Sequence, residues 1–178
     1  MIACRPALPM ILAIVPLVFA AAASAKGWSP PANIVRSDGV AIGTVRVRET
    51  PGGLALKLEA RGLPPGEIGM HIHDVGRCDG PGFESAGPHW NPHGKQHGRR
   101  NPAGQHAGDL GNLLVAADGS VRVDHLPDPA GQVPSALDAN GAALVIHAQR
   151  DDEMTDPSGN SGARIACAVL KAPSGERG

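Results

Sequence analysis

Apolar and polar residues alternate along much of the chain after residue 40, which predicts short β-strands. Val45 and Val47 alternate with arginines, and the leucines at 54, 56 and 58 alternate with Ala55 and charged residues. A turn sequence, Pro51-Gly52-Gly53, separates the two segments. A period of two on both sides of a turn predicts a hairpin with one buried face.

Five further segments have the length and composition of strands, namely residues 68–75, 110–116, 120–126, 142–148 and 164–170. Asp118-Gly119 between two of them is a strong hairpin signal. Residues 26–37 contain two prolines and are expected to form a loosely held N-terminus. Residues 76–108 (the first long loop) and 151–162 (the second long loop) lack periodicity, and long irregular segments are usually functional or disordered. We therefore predict an all-β fold, an antiparallel barrel or flattened sandwich with two long functional loops.

Composition narrows the class of protein further. The 178 residues include 24 Gly and 17 Pro, only 2% are aromatic, and the formal net charge is −1. The Gly and Pro content argues against a helical bundle or coiled coil. Nucleic-acid-binding proteins usually carry a basic surface and base-stacking aromatics, so we expect no nucleic-acid partner.

Residues 1–25 have the layout of a secretory signal peptide. Arg5 supplies the positive start, residues 10–23 are almost wholly apolar, and Ala23-Ser24-Ala25 fits a cleavage site. The apolar run is too short to span a membrane comfortably, and no stop-transfer pattern follows it. We predict cleavage before Lys26, no membrane association afterwards, and export to a periplasm or the cell exterior. The predicted boundaries are 1–25 for the signal peptide, 26–39 for an N-terminal extension and 40–178 for the domain.

Export changes what the cysteines imply. Cys4 would leave with the signal peptide, so Cys78 and Cys167 would remain. In an oxidising compartment two cysteines in one domain indicate a disulfide, and two buried free thiols are the alternative.

Histidines near the two long loops suggest a metal site. His71 and His73 are two residues apart in a predicted strand, so their side chains share one face and can converge on one ion. His97, His106 and Asp109 follow at a spacing that lets a loop fold back on a metal, and imidazoles with one carboxylate suit zinc. His147, at the end of an apolar strand, could meet the first pair across the sheet. Residue types and spacing alone are consistent with two hypotheses, a metal enzyme and a histidine-rich metal-binding protein.

Four sequence strings together point to a family. They are GMHIH (69–73), SAGPHWNP (85–92), HAGDLGN (106–112) and GNSGARIAC (159–167). In this order they closely resemble copper/zinc superoxide dismutases, and the resemblance runs from about residue 40 to 170. It implies a Greek-key antiparallel barrel or flattened sandwich.

Carried over residue by residue, the resemblance implies a copper and a zinc site that share one histidine. The implied copper ligands are His71, His73, His89 and His147. The implied zinc ligands are His89, His97, His106 and Asp109. It also implies an intrasubunit disulfide between Cys78 and Cys167.

The resemblance implies three further roles near the metals. Arg164 would bind the superoxide anion, and His89 would carry a proton as well as bridge the metals. Asp151 would join a copper ligand to a zinc ligand. Taken alone, Arg164 could instead form a surface ion pair, and Asp151 could belong to a solvated acidic loop. His93 and His125 receive no role, and His125 is expected to face solvent.

The predicted function is the dismutation of superoxide to dioxygen and hydrogen peroxide, with copper and zinc as cofactors. The alternative is a non-catalytic relative that binds or delivers copper or zinc. The resemblance allows a homodimer as well as a monomer. Besides Arg164, three cations of the first long loop could attract superoxide: Lys95, Arg99 and Arg100. The chain departs from the family in having Trp90 where Phe is usual, Arg77 after the His-x-His motif, and a second long loop of the shorter, bacterial length.

Overall fold

A computed structural model describes residues 27–125 and 134–172. Within these ranges there are eight strands and one short 3-10 helix (Glu84–Ala86), and no helix has the length and apolar character needed to cross a bilayer. The predicted signal peptide lies outside the described residues. The strands are β1 (Ala32–Arg36), β2 (Ala41–Thr50), β3 (Gly53–Ala60), β4 (Gly66–His73), β5 (Asp109–Val115), β6 (Val121–His125), β7 (Ala142–His147) and β8 (Arg164–Leu170).

All eight strands belong to one antiparallel sheet with the order β5-β4-β7-β8-β1-β2-β3-β6. β6 lies beside β3 and β7 lies beside β4, so strands distant in sequence are neighbours, as in a Greek key. β5 and β6 end the order, yet a turn at residues 116–120 joins them, so the sheet curls back on itself. The predicted all-β antiparallel fold is confirmed.

The main core lies inside the curled sheet and follows from the alternation in the sequence. Val45 and Val47 of β2 and Leu56 and Leu58 of β3 are buried there, and β2 and β3 form the predicted hairpin. Ile72 of β4 joins the same cluster. Burying an aliphatic side chain of this size stabilises the fold by roughly 1.5–3 kcal/mol.

A smaller apolar cluster lies on the other face of β7 and β8. Val145 and Cys167 contact Phe83 of the first long loop in this cluster. The predicted disulfide between Cys78 and Cys167 is present, and it joins the same loop covalently to β8. Together these contacts hold the first long loop against the sheet beside the histidine-bearing strand ends.

The N-terminal segment differs from the prediction. A loosely held N-terminus over residues 26–37 is wrong for β1, which lies between β2 and β8 in the sheet. Ile34 is fully buried, and Ser29 exchanges hydrogen bonds with Val47. One buried apolar residue in a five-residue strand next to two prolines leaves too short a pattern to predict a strand.

The hairpin predicted around Asp118-Gly119 is only half right. The turn forms, since Gly119 donates to the Ala116 carbonyl and Ala116 donates to the Ser120 carbonyl, both at 2.9 Å. However, β5 pairs with β4 and β6 pairs with β3, and the described residues show no ladder between β5 and β6. The local turn sequence determines where the chain reverses. The strand pairing is determined by β4, which lies beside β5, and by β3, which lies beside β6.

Candidate metal centre

The end of β4 presents two buried histidines on one face. His71 and His73 are both 0% exposed, and Ile72 between them points into the main core. His147 ends the neighbouring strand β7 and is also buried. The pairing of β4 with β5 is irregular just before His71, and the pairing of β7 with β8 is irregular just before His147. Such bulges re-aim side chains and are common beside functional sites.

The first long loop brings His89 to this face. Trp90 donates to the Ile72 carbonyl at 2.9 Å, and Asp74 donates to the Pro88 carbonyl at 3.0 Å. These bonds align the loop with β4, and the ring centroids of His89 and His71 are 4.0 Å apart.

Four ring nitrogens in this group are buried and have no hydrogen-bond partner. They are Nδ1 of His71 and Nε2 of His73, His89 and His147. The second nitrogen of each ring is held by Asp151 at 2.7 Å, the Gly87 carbonyl at 2.8 Å, Asp109 at 3.0 Å and the Gly162 carbonyl at 3.1 Å, respectively. Buried polar atoms are normally satisfied. Because ligand atoms of the four histidines lie within 4.8 Å of one another, the group fits a copper ion, for which imidazole is a suitable ligand.

Asp109, at the start of β5, gathers a second group. Its Oδ1 lies 3.0 Å from Nδ1 of both His89 and His97 and 3.2 Å from Nδ1 of His106. Its Oδ2 accepts backbone N–H bonds from Gly98 at 2.9 Å and His106 at 3.0 Å. Three imidazole nitrogens around one carboxylate match the four ligands of a tetrahedral zinc site.

Two histidines, His71 and His106, lie close enough to serve as the third histidine of this group. Ligand atoms of His71, His89, His97 and Asp109 also lie within 4.8 Å of one another. Nε2 of His71 is already bonded to Asp151, whereas Nδ1 of His106 contacts Asp109 and lies 3.4 Å from Nδ1 of His89. The hydrogen bonds therefore favour His106 over His71 as the third histidine.

Asp151, the first residue of the second long loop, connects the two groups. It is 1% exposed, and its Oδ2 lies 2.7 Å from Nε2 of His71 while its Oδ1 lies 3.0 Å from Nε2 of His97. Its backbone exchanges hydrogen bonds of 2.8 and 2.9 Å with the side chain of Asn112 on β5. One carboxylate thus orients a histidine from each group.

Burial keeps three of the histidines neutral. It lowers the pKa of His73 to about 2 and that of His147 to about 3. It lowers the pKa of His89 to about 4, with the hydrogen bond that His89 donates to Asp109 opposing the shift. A neutral imidazole keeps the lone pair that a metal needs.

Two carboxylates, Asp109 and Asp151, favour the protonated form of His97. Burial opposes its charge, but hydrogen bonds to Asp109 and Asp151 outweigh burial and raise the pKa of His97 to about 9. Burial also opposes the charge on these two carboxyls. Hydrogen bonds with the histidines nevertheless hold the pKa of both Asp109 and Asp151 well below its usual range.

An open cleft of about 1000 Å³ leads to the histidines, and Lys95 and Arg164 line it together with His73, His89 and His147. The guanidinium of Arg164, at the start of β8, donates to the carbonyls of Phe83 at 2.8 Å and Gly87 at 2.9 Å. Partial burial lowers the pKa of Arg164, yet an arginine stays charged at neutral pH. Four acidic residues also line the cleft, namely Asp74, Glu84, Asp138 and Asp156.

The structure brings every predicted metal-site residue and Arg164 into this one region, while two of the weaker sequence candidates do not line the cleft. The side chain of Arg99 pairs with Glu153, and neither Arg99 nor Arg100 is among the described residues that line the cleft. His93 is exposed. His125 is half-buried at the end of β6, contrary to expectation, and burial together with nearby Arg99 lowers its pKa.

Two features near the histidines were not predicted from the sequence. Asp156 accepts the backbone N–H of His97 at 2.5 Å, and its carboxylate lies 3.9 Å from Nε2 of His106. The ion pair between Arg99 and Glu153 is the second feature. Their only signal was the cluster of acids between residues 151 and 156, which carries no periodicity. Fold and site together define a β-barrel metalloprotein with two adjacent histidine-rich positions for metal ions.

Comparison with known proteins identifies the family. The family described as Copper/zinc superoxide dismutase (SODC) matches residues 41–170. Superoxide dismutase Cu-Zn 2 of Aquifex aeolicus (strain VF5) is 41% identical over 160 residues, which cover 87% of this chain and 94% of the relative. Superoxide dismutase-like protein YojM of Bacillus subtilis (strain 168) is 47% identical over 144 residues, which cover 78% of this chain and 74% of the relative. The crystal structure of a SOD-like protein from Bacillus subtilis has a TM-score of 0.74 at 42% identity and covers 81% of this chain and 100% of that protein.

The chain belongs to the copper/zinc superoxide dismutase family. The predicted resemblance is confirmed, and with it the oxidoreductase class and the two cofactors, copper and zinc.

Proposed function

We propose that this chain converts two superoxide anions and two protons into one dioxygen and one hydrogen peroxide. One observation carries the proposal: four buried, unpartnered histidine nitrogens converge beside a cleft that contains a fixed arginine. When bound, copper supplies the one-electron redox couple that the reaction needs and that zinc lacks.

His71, His73, His89 and His147 would hold copper through their unpartnered nitrogens. Each ring is oriented through its other nitrogen by a carbonyl or a carboxylate. Such outer partners set the ring orientation and raise the basicity of a ligand. The ligand set is therefore arranged before any metal arrives.

His89, His97, His106 and Asp109 would hold zinc. His89 is common to both sets, because its Nδ1 lies against Asp109 while its Nε2 is among the unpartnered nitrogens. An imidazole can use both nitrogens when it is deprotonated, so this side chain is suited to bridge two metals.

His89 would also move a proton at Nε2. Its Nδ1 is held against Asp109, so a proton that joins or leaves Nε2 does not require the ring to rotate. A proton held at Nε2 would lie beside the open cleft, where a reduced oxygen species can accept it.

Arg164 would bind and orient superoxide. Two backbone carbonyls fix its guanidinium at the cleft, and a fixed positive charge in a concave site attracts a small anion. Lys95, exposed on the same cleft, would add attraction at longer range.

We further propose that the protein works after export, in a periplasm or outside the cell. The disulfide supports this location, since such bonds persist in oxidising compartments. All proposed ligands come from one chain, so the proposed activity does not require a homodimer.

A second candidate function is metal binding or delivery without dismutation. The observation in its favour is the name of the Bacillus subtilis relative, which is called superoxide dismutase-like and not superoxide dismutase. The presence of Arg164 and of a complete histidine set favours the first function, because binding alone needs no anion site.

Metal content and activity of the purified exported protein separate the two candidates. Dismutation predicts one copper and one zinc per chain and strong inhibition of superoxide-dependent cytochrome c reduction. His147→Ala should lose copper and keep zinc, and Asp109→Ala should lose zinc more readily than copper. A protein loaded with both metals that leaves cytochrome c reduction unchanged would establish the metal-binding function instead. Equal loss of both metals in Asp109→Ala would contradict two separate sites.

A further inference from the structure

The second long loop is tied to the first beside His97, through Glu153. The Glu153 carboxylate accepts a hydrogen bond from Nη2 of Arg99 at 2.8 Å. Its backbone carbonyl accepts the N–H of Arg100 at 3.0 Å. Its own N–H donates to Oδ1 of Asp151 at 2.6 Å. Glu153 therefore links the first long loop to the carboxylate that contacts His71 and His97.

The packing around this link is close. The side chain of Glu153 is only 15% exposed, and that of Arg99 is 45% exposed. A Cβ atom at Gly98 would lie 2.2 Å from the Glu153 carbonyl oxygen, so the two backbones touch. The guanidinium of Arg99 packs on Gly111 of β5, where a Cβ atom would lie 2.5 Å from Nη2. The ion pair thus spans β5 and both long loops.

Glu153 also has a backbone conformation that its surroundings must maintain. Its φ is +59°, in the left-handed region that residues with a side chain rarely adopt. Such conformations persist where neighbouring contacts hold them, and they cluster at functional sites. The contacts available here are the Arg99 ion pair, the Arg100 hydrogen bond and the Asp151 hydrogen bond.

We infer that the Arg99–Glu153 pair is a latch that positions Asp151 between His71 and His97. The inference rests on the proposed function, which assigns these histidines to copper and zinc. Oδ1 of Asp151 is shared by Nε2 of His97 and the N–H of Glu153, so a displaced Glu153 leaves that oxygen with one donor fewer. Arg99 and Glu153 are positioning residues, since they act on the zinc set through Asp151.

Loss of the latch is expected to affect the binding of zinc more than the binding of copper. Without it Asp151 orients His97 less well, and outer partners of metal ligands typically change metal affinity by about 10- to 100-fold. His73 and His147 of the copper set are held by backbone carbonyls instead, at 2.8 and 3.1 Å. Loss of the latch should therefore speed zinc release far more than copper release.

The test uses the full exported chain loaded with copper and zinc. Arg99→Gln, Glu153→Gln and the double variant are compared in the rate at which zinc passes to a chelator. We expect release about tenfold faster in each single variant, and no further increase in the double variant, because the pair acts as a unit. Glu59→Gln is the matched control, since Glu59 pairs with Arg122 at the same 2.8 Å on exposed parts of β3 and β6. It should leave zinc release within twofold of wild type.

Three outcomes would overturn the latch. The first is unchanged zinc release in both single variants, and the second is additive effects in the double variant. The third is equal acceleration of copper and zinc release with a lower melting temperature of the metal-free protein, which would mean general support of the fold. Asp109→Ala tests the zinc assignment itself. If it speeds zinc release and the latch variants do not, only the latch is wrong; if Asp109→Ala also has no effect, the zinc site is wrong.

Discussion

At the scale of single residues, the four histidines with an unpartnered ring nitrogen are each held at the other nitrogen. The carbonyls of Gly87 and Gly162 hold His73 and His147, and Asp151 holds His71 and His97. Each of these acceptors stabilises the N–H on the nitrogen that it faces. The lone pair is thereby left on the opposite nitrogen, which for His71, His73 and His147 lies in the buried group of unpartnered atoms.

Gly159 leaves the space that Asp151 occupies. Its φ is +64°, and a Cβ atom there would lie 1.8 Å from Oδ1 of Asp151 and 2.7 Å from Nε2 of His97. Gly159→Ala should displace the carboxylate and weaken zinc binding by about tenfold or more, as loss of an outer partner does. Zinc affinity measured by chelator competition checks this.

Gly94 provides a matched control for that substitution. Its φ is +60°, nearly the same, but a Cβ atom there would meet nothing within 4 Å. Gly94→Ala should therefore show only the backbone cost, about 1–2 kcal/mol of unfolding free energy, with zinc affinity unchanged. Equal zinc loss in both variants would mean that backbone strain, and not the steric clash with Asp151, causes the effect.

Arg164 tests whether local charge guides the substrate. The formal net charge of −1 does not favour an anion, so attraction must come from cations at the cleft. Arg164→Gln should leave copper bound and lower the rate with superoxide by roughly tenfold or more, with a weaker dependence on ionic strength. Rates measured against salt concentration decide the matter, with Arg100→Gln as a control outside the described cleft lining. An unchanged rate would remove Arg164 from the mechanism, and lost copper would make its role structural.

At the scale of elements, the strand ends and the two long loops contribute different side chains to the metal centre. β4 and β7 present three of the histidines, while the two long loops contribute His89, His97, His106 and Asp151. The first long loop is held by the small apolar cluster around Phe83 and by the disulfide. Its position therefore depends on β7 and β8 more than on any structure of its own.

Loss of the disulfide should act first on that loop. Cys78 and Cys167 are 89 residues apart, and closing a loop of this length stabilises the fold by about 4–5 kcal/mol in the chain-entropy model. Replacing both cysteines by serine should lower the unfolding free energy by an amount of this order. Amide hydrogen exchange over residues 79–88 should become faster than in β2 and β3. In wild-type protein without residues 1–25, purified without reductant, thiol titration under denaturing conditions should find no free thiol; two free thiols would contradict the bridge in solution.

At the scale of the whole molecule, the buried histidines make the metal-free protein sensitive to acid. The unfolded chain protonates histidine near pH 6.5, whereas burial lowers the folded pKa of His73 to about 2, His147 to about 3 and His89 to about 4. Between these values the unfolded state binds more protons, so stability falls as the pH drops from about 6.5 to 4. Each histidine contributes at most about 1.4 kcal/mol per pH unit.

His97 acts in the opposite direction. Its hydrogen bonds to Asp109 and Asp151 raise the folded pKa to about 9 against the opposing effect of burial, so its stabilisation is complete below about pH 6.5 and is lost as the pH rises through 9. Three histidines against one predict greatest stability near neutral pH. Urea unfolding of chelator-treated protein from pH 4.5 to 9 measures the profile, and His147→Gln should flatten its acid side. Constant stability from pH 6.5 down to 4.5 would show that these histidines are protonated in the folded state.

The sequence by itself determined the features that depend on neighbours along the chain. Alternating residues predicted the β2–β3 hairpin, and two histidines two residues apart predicted a shared face at the end of β4. The four motifs indicated the family and which side chains could reach a metal. These inferences succeed because side-chain direction in a strand follows from residue spacing, whatever the rest of the fold does.

Only the tertiary structure decided the contacts between segments far apart in sequence. These include the place of β1 between β2 and β8, the separation of β5 from β6, the ion pair of Arg99 with Glu153, and the proximity of Asp156 to His106. Each depends on how the sheet curls and on which loop surfaces then meet, and neither shows in a local pattern. A five-residue strand with one buried side chain is stabilised by the strands on either side of it, and a carboxylate 54 residues from its arginine pairs with it only after both loops are in place.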